Sequence, residues 1–102
     1  MFLHTISARY LNHYKIEIQF SDRRTGVADL GDHLKGKLFE PLQDPDFFRQ
    51  FVVDAELGTI RWPNGADLAP EYLYFLAFHD VPELREQFQK WGYLPAKIAV
   101  NL

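Results

Sequence analysis

A chain of 102 residues is long enough for one domain with a single hydrophobic core. Apolar residues make up 47% of it and aromatic residues 16%, which excludes an intrinsically disordered chain. The net charge of −3 gives no overall attraction to nucleic acid or anionic lipid, and the lack of cysteine excludes disulfides, thiolate zinc sites and cysteine nucleophiles.

The segment from Met1 to Thr5 has neither the basic region nor the long apolar run of a signal peptide. No apolar run elsewhere in the sequence approaches the length of a membrane span. We therefore expect a cytoplasmic protein that does not enter the membrane.

The first part of the chain is predicted to be mostly extended. Residues 2–10 are compatible with a strand, and residues 14–20 have the pattern of a strand with one buried and one exposed face. The apolar members of that second strand are Tyr14, Ile16, Ile18 and Phe20. Residues 21–24 are predicted to form a hairpin tip, followed by a short strand at residues 25–29.

The middle of the chain is predicted to hold a loop, a short helix and a hairpin. Residues 31–37 contain two glycines and several charges, so they are predicted to form a loop or a single helical turn. Apolar side chains should hold this loop in place: Leu38, Phe39 and Leu42. Asp44 and Pro45 are typical of a helix start, and residues 51–62 are predicted to form two short strands joined by a loop.

The most distinctive segment is a corner between a strand and a helix. Trp62 should face the core, Pro63 ends the strand, and Asn64-Gly65 readily adopts positive φ and reverses the chain. Pro70 suits the first helical position, and Asp67 is expected to accept amide hydrogens of the turn because the residue before Pro70 has no side-chain oxygen. A catalytic Asp67 is the alternative. The predicted structural motif comprises Trp62, Pro63, Asn64, Gly65, Asp67 and Pro70.

Two helices are predicted after the corner. Residues 70–78 are almost all apolar, so this helix needs cover on more than one side. A second helix follows Pro82 and ends at Gly92, with one apolar stripe formed by Leu84, Phe88 and Trp91. We expect this stripe to cover the first helix, because short connections place successive helices side by side; a second protein chain is the alternative cover. Residues 97–102 are predicted to be an extended tail.

From about residue 16 to residue 74 the chain resembles the bacterial family called domain of unknown function 2442. Order and spacing agree over the following segments: Ile18-Gln19-Phe20-Ser21-Asp22, Val27-Ala28-Asp29-Leu30, Phe39, Leu42, Asp46-Phe47-Phe48, Val53-Asp54, Gly58-Thr59-Ile60 and Trp62-Pro63-Asn64-Gly65-Ala66-Asp67-Leu68. The family usually has glycine where this chain has Arg23.

This resemblance implies a compact α+β domain, either alone or joined to a helix-turn-helix, in a family without an assigned activity. It also implies frequent gene adjacency to another small family, in an arrangement similar to toxin–antitoxin pairs. We expect residues 1–79 to form the family-like core and residues 80–102 to supply, within the same domain, a C-terminal helix and tail that cover the core helix. The predicted fold is α+β, with a mostly antiparallel sheet of about four or five strands and two or three helices packed on it.

The candidate chemical groups favour structural roles. No metal or cofactor is expected, because none of the histidines has metal-ligand spacing: His4, His13, His33 and His79. Two carboxylates could form an acid–base pair, but their positions in the sequence are typical of helix starts and turns. The carboxylates concerned are Asp44, Asp46, Asp54, Glu56 and Asp67. No catalytic residue is predicted. The basic residues are more typical of solvated charge than of a binding patch: Arg9, Lys15, Arg23, Arg24, Lys35 and Lys37.

We interpret the chain as a non-catalytic protein-interaction or regulatory module, the antitoxin-like member of a two-gene pair. Aromatic side chains would anchor a protein partner or a second copy of the chain, and the candidate interface comprises Tyr72, Phe75, Phe78, Phe88 and Trp91. The alternative is a small-molecule-binding or enzymatic domain with a pocket near Trp62, Asn64 and Asp67. A third interpretation is regulation through nucleic acid, which would give an affinity that falls steeply with salt. Direct contact with nucleic acid is not expected.

Overall fold

The computed structural model describes residues 2–95, and its N-terminal part is a three-stranded antiparallel sheet. The strands are β1 (Thr5–Tyr10), β2 (Lys15–Phe20) and β3 (Thr25–Asp29), in the spatial order β1-β2-β3. The predicted alternation in β2 is confirmed, since its apolar side chains are fully buried: Ile16, Ile18 and Phe20. Because side chains alternate between the faces of a strand, the other face of this sheet carries the polar residues.

The turn between β2 and β3 is tight although it lacks the glycine usual in the family. Arg23 takes a left-handed backbone conformation, with φ of 73°. Its amide donates to the carbonyl of Phe20 at 2.9 Å, and the Asp22 carboxylate accepts from the amide of Arg24 at 3.0 Å. The Asp22 side chain therefore closes the turn that Arg23 enters at a conformational cost.

A short helical region follows the first sheet. A 3₁₀ turn spans Glu40–Gln43, and α1 spans Pro45–Phe48. The predicted start of α1 is confirmed, because the Asp44 carboxylate accepts from the amide of Asp46 at 3.0 Å. The prediction that Leu38 holds down the preceding loop is wrong, since this side chain is 45% exposed while Leu42 is fully buried.

The second sheet is a hairpin of β4 (Val52–Asp54) and β5 (Thr59–Arg61), paired antiparallel. The Asp54 carboxylate organises its turn by accepting from the amides of Glu56 and Leu57 at 2.9 and 3.0 Å. The described residues thus contain five antiparallel strands divided between two sheets, together with helices. The predicted α+β fold is confirmed.

Two helices complete the described structure. α2 spans Pro70–Phe78, a 3₁₀ turn spans Pro82–Leu84, and α3 spans Arg85–Trp91. Gly92 ends α3 in a left-handed conformation, with φ of 87°. The extended tail predicted at residues 97–102 lies outside the described residues, and the division of the domain at residue 79 stays a prediction.

One hydrophobic core joins the two sheets and the helices. Its largest fully buried side chains come from β2, α1, the corner after β5 and α3: Phe20, Phe48, Trp62 and Phe88. Burial of each such side chain contributes roughly 1.5–3 kcal/mol to folding relative to leaving it exposed. Within residues 2–95, no helix is both long enough and apolar enough to cross a membrane.

Candidate functional site

The corner after β5 is anchored by Trp62. The side chain is fully buried, and its indole N–H donates to the carbonyl of Phe48 at 2.8 Å. The indole ring also packs against Phe48 and Phe51, with centroids 5.8 and 6.2 Å apart. The polar atom of Trp62 is therefore engaged within the protein, and the corner is fixed to α1.

Asn64 organises the turn of this corner. Its side-chain oxygen accepts from the amide of Ala66 at 3.1 Å, and its side-chain NH₂ donates to the carbonyl of Leu38 at 2.9 Å. Gly65 adopts φ of 89°, a conformation that glycine takes without steric cost. The amide of Trp62 donates to the carbonyl of Ala66 at 2.9 Å, which closes the reversal.

The prediction for the Asp67 side chain is wrong. Asp67 is exposed, and among residues 2–95 its carboxylate accepts no hydrogen bond, while its backbone forms an isolated bridge with Arg61. Pro70 does begin α2, as predicted, and Ala69 supplies no side-chain cap. Asn64 has the role that sequence reasoning gave to Asp67.

The carboxylates considered as an acid–base pair have structural partners. Asp44 caps α1, and Asp54 binds its own turn and the guanidinium of Arg61, with Nε and Oδ2 2.7 Å apart. The pKa of Asp54 is lowered, first by the hydrogen bond from the Leu57 amide and then by the hydrogen bond from the Arg61 guanidinium. These contacts favour the negative form of Asp54 and stabilise the β4–β5 hairpin.

Aromatic side chains of α2 and of the region after it form a continuous, partly exposed cluster. We define the aromatic surface as Tyr72, Phe75, Trp91 and Tyr93, all half-buried. Tyr93 is central, because its ring lies 5.3 Å from both the Tyr72 and Phe75 rings and 6.4 Å from the Trp91 ring.

Two of the predicted interface residues do not belong to this surface. Phe88 is fully buried, with its ring 5.1 Å from that of Phe75 and 6.2 Å from that of Tyr74. Phe78 is half-buried and packs toward the first sheet, 5.8 Å from the ring of Phe20. Phe88 thus supports the aromatic surface, whereas Phe78 belongs to the packing of α2 on the first sheet. Tyr72, Phe75 and Trp91 remain as candidates for contact.

A hydrogen-bonded pair lies at one side of the aromatic surface. The Tyr72 hydroxyl is 2.8 Å from Nδ1 of His33, an exposed residue of the loop after β3. Burial raises the pKa of Tyr72, and burial followed by the negative charge of Glu71 raises the pKa of Tyr93. Both hydroxyls therefore stay protonated at neutral pH and can donate hydrogen bonds.

Sequence reasoning missed Tyr93 and His33. A signal for Tyr93 existed: the amide of the residue after a left-handed glycine often bonds back to the helix, and the side chain at that position often packs on it. Here the Tyr93 amide donates to the carbonyl of Phe88 at 3.0 Å. His33 had no local signal, because its partner is 39 positions away in sequence.

Two shallow depressions lie elsewhere on the described surface. One, of about 250 Å³, lies on the exposed face of the first sheet and is lined by Ser7, Ala8, Arg9, Glu17, Gln19 and Thr25. Its charges neutralise each other, since Arg9 and Glu17 form an ion pair of 3.0 Å. The other, of about 360 Å³, lies beside the β4–β5 turn and includes Leu3, His4, Leu57 and Pro70 in its lining.

Neither depression includes the residues of the alternative pocket proposed near Trp62, Asn64 and Asp67. Within residues 2–95, no group of three histidine, aspartate or glutamate side chains is placed to hold a metal ion.

The family model described as "Protein of unknown function (DUF2442)" matches residues 5–79. No curated protein matches the sequence. Among solved structures, the chain is similar to the crystal structure of "Putative DNA Binding Protein NE0471" from Nitrosomonas europaea ATCC 19718, with a TM-score of 0.68 and 20% identity. The match covers 91% of this chain and 63% of that chain, so the present chain spans less than two thirds of that protein.

The name of this structural neighbour contradicts one expectation from the sequence. Direct contact with nucleic acid was not expected from the acidic net charge, whereas the neighbour is named for DNA binding. An acidic net charge does not by itself exclude a DNA contact, because net charge sums over the whole surface while a DNA contact needs only a local arrangement of donors and cations.

Proposed function

The chain belongs to the DUF2442 family of proteins of unknown function, and we propose that it is a non-catalytic regulatory module that docks a protein partner through the aromatic surface. In this proposal it is the antitoxin-like member of a two-gene pair in the cytoplasm. The docked partner is the protein encoded by the second gene.

One observation supports this proposal above the others. The Tyr93 ring lies beside the rings of Tyr72, Phe75 and Trp91, and all four residues are only half-buried. Rigid aromatic side chains lose little conformational entropy on binding, and aromatic residues are enriched among the few residues that dominate interface energetics. Phe88 supports this group from below and so limits its rearrangement.

The polar groups around the surface suit a protein partner. The hydroxyls of Tyr72 and Tyr93 give hydrogen-bonding groups beside apolar area, which is typical of interface tyrosines. An interface of this kind has an apolar centre and a polar rim, and His33 and Glu71 would belong to its rim.

The proposal is tested by the binding of the partner to matched variants. The chain is co-expressed with the protein of the adjacent gene, and the dissociation constant of the complex is measured by calorimetry. Tyr93→Ala should weaken the complex roughly tenfold or more, the loss that follows removal of an aromatic anchor. Val52→Ala removes a side chain that is 47% exposed on β4 and should leave the affinity unchanged.

Two outcomes would reject docking at this surface. One is the absence of any complex between the two proteins, and the other is a complex that Tyr93→Ala and Val52→Ala weaken equally. Circular dichroism and thermal unfolding of both variants establish that a loss of binding does not come from a loss of fold.

Direct DNA binding is the second candidate function, and the similarity to the Nitrosomonas europaea protein favours it. Arg23 would be a contact residue, because it is exposed at the tip of the β2–β3 hairpin. Binding to a DNA duplex should then weaken steeply as salt increases, and Arg23→Ala should reduce both the affinity and its salt dependence. Affinity that does not depend on Arg23 or on salt would reject this candidate.

A further inference from the structure

The two edges of the three-stranded sheet differ in how they are protected. On the β1 edge, the register shifts between Thr5 and Ser7, and the amide of Thr5 donates to the carbonyl of Gly58 at 2.8 Å. A shifted register and a covering segment are devices that keep an edge strand from pairing with another chain. The β1 edge is therefore protected from pairing with another strand, partly by the β4–β5 hairpin.

The β3 edge has neither a register shift nor a backbone hydrogen bond from another segment along its described length, although α2 packs against the strand at Gly26. Its sequence is Thr-Gly-Val-Ala-Asp, without lysine or proline, and its register with β2 is regular throughout. Val27 at its centre is 41% exposed, and Thr25 and Asp29 are also exposed. A regular, largely uncharged edge is a template for a further strand.

The register shows which backbone groups of β3 point outward. Hydrogen bonds from Phe20 to Arg24 and from Leu30 to Tyr14 bracket the ladder between β2 and β3. Because bonded and non-bonded pairs alternate in an antiparallel ladder, Gly26 and Ala28 bond toward β2.

The N–H and C=O groups of Thr25, Val27 and Asp29 consequently point away from β2. Within residues 2–95, no hydrogen bond outside the sheet ladder reaches them.

We propose that β3 pairs with β3 of a second copy of this chain, antiparallel and with the two-fold axis at Val27. In this register Val27 faces Val27 of the other copy, and Thr25 faces Asp29. Each of these pairs exchanges backbone N–H···O bonds, so the three strands of each copy form one continuous sheet.

The β3 strand is complementary to itself in this antiparallel register, which favours a second copy of the chain as its partner. The single charge of the strand, Asp29, lies opposite a threonine hydroxyl that can donate to it, so no like charges face each other. Asp29 already accepts from the amide of Gly31 at 2.9 Å, and a carboxylate has capacity for further donors. The apolar Val27 side chains meet at the axis, where each covers the other.

The proposal does not depend on the aromatic surface, which lies on α2, at the end of α3 and just after it. It concerns a small contact, so the dimer should be weak and should depend on protein concentration. Sedimentation velocity from about 1 µM to about 500 µM covers the range expected for a contact of this size. The wild-type chain should shift from monomer to dimer across this range.

Two variants test the edge itself. Val27→Pro removes the outward N–H without removing a bond to β2, and proline is accepted on an edge strand where its nitrogen faces solvent. Val27→Lys places like charges against each other at the axis. Both variants should be monomeric at every concentration and should keep the circular dichroism spectrum of the wild type. The matched control Val27→Thr keeps the N–H and the branched side chain, and it should still dimerise.

A measurement on the wild-type chain tests the same proposal without any substitution, so it does not depend on whether the variants fold. Hydrogen exchange at the Val27 amide should slow at least tenfold as the protein concentration rises, whereas exchange at Ala28, already bonded to β2, should change far less.

A wild-type chain that stays monomeric overturns the proposal, as does a dimer that Val27→Lys and Val27→Pro leave intact. A monomer whose edge instead captures a strand of another protein also overturns it.

Discussion

The hydroxyl of Tyr74 donates a hydrogen bond of 2.6 Å to the carboxylate of Asp22, joining α2 to the turn between β2 and β3 across 52 positions of sequence. The same carboxylate accepts from the amide of Arg24 within the turn. One side chain thus closes a local turn and fixes the helix that packs beside it. The contact lies at the border of the core, since Tyr74 is only 4% exposed.

Loss of this hydrogen bond should destabilise the whole domain. Tyr74→Phe keeps the ring that packs against Phe20, Phe78 and Phe88 but leaves Asp22 without its strongest distant partner. Hydrogen bonds to charged groups contribute about 1.5–3 kcal/mol, and partial access of water to Asp22 places the expected loss near the lower end. Urea unfolding measures it.

Tyr10→Phe is the matched control for this change. Its hydroxyl makes no hydrogen bond to the described residues, so its removal should alter the free energy of unfolding by less than about 0.5 kcal/mol. Equal effects of the two substitutions would contradict a stabilising role for the Tyr74–Asp22 bond.

The same contact should make stability fall at alkaline pH. Burial, and then the hydrogen bond to Asp22, raise the pKa of Tyr74 from 10.0 to about 12. The unfolded chain therefore loses this proton at a lower pH than the folded chain does, so deprotonation favours unfolding. The contribution of Tyr74 is complete below pH 10.0 and is lost as the pH rises toward about 12.

Tyr74→Phe removes this titration. The free energy of unfolding of the variant should therefore fall less than that of the wild type between pH 10.0 and about 12. Urea unfolding at a series of alkaline pH values gives both curves. Parallel curves for the two proteins would show that Tyr74 titrates alike in both states.

The left-handed conformation of Arg23 predicts that glycine is stabilising there. A left-handed conformation costs a residue with a Cβ about 1–2 kcal/mol, and glycine avoids that cost at the expense of greater freedom in the unfolded chain. We expect Arg23→Gly to raise the free energy of unfolding by roughly 0.5 kcal/mol.

Arg23→Ala separates the backbone effect from loss of the guanidinium, because alanine keeps the strain and removes the charge. Thermal unfolding should therefore rank the glycine variant above both the wild type and the alanine variant. If the glycine variant were no more stable than the alanine variant, the backbone at position 23 would not be strained.

Close approach of α2 to β3 depends on Gly26. A methyl group added at this position would lie 2.6 Å from Cε1 of Phe78 and 3.1 Å from Cβ of Ala77. Gly26→Ala should therefore destabilise the protein by about 1–3 kcal/mol, the usual cost of overpacking.

Phe78→Leu shortens the opposing side chain and should recover part of this loss in the double variant. The measurement is a double-mutant cycle of unfolding free energies. Additive effects would show that the two side chains do not compete for the same space.

The sequence predicted those features that depend on near neighbours. The buried face of β2 follows from strict alternation, and the start of α1 follows from Asp44 and Pro45. The corner shows where such reasoning ends. Asp67 and Asn64 are both suited to organise a turn, and Asn64 has that role because its amide also reaches Leu38, 26 positions earlier.

The aromatic surface shows the same limit. Helical spacing placed Phe88 and Trp91 on one stripe, but only the packing of α3 on α2 buries the first fully and leaves the second partly exposed. The pairing of Tyr72 with His33 depends on where the loop after β3 lies against α2, and no local pattern encodes that position.

The packing of α3 predicts that the C-terminal helix unfolds together with the sheets. Phe88 is fully buried against Tyr74 and Phe75, so Phe88→Ala should cost about 3–5 kcal/mol through lost burial and the cavity left behind. The chain has two tryptophans, and replacing Trp91 with phenylalanine leaves Trp62 as the only fluorescent indole, located at the corner after β5.

In that background, Phe88→Ala should shift the urea midpoint reported by Trp62, although Phe88 lies on another element. Lys90→Ala is the control, because the Lys90 side chain is 69% exposed on the same helix and its removal should leave the midpoint in place. If Phe88→Ala leaves the urea midpoint reported by Trp62 unchanged, residues 80–95 unfold separately from the rest. The prediction of a single domain would then be wrong.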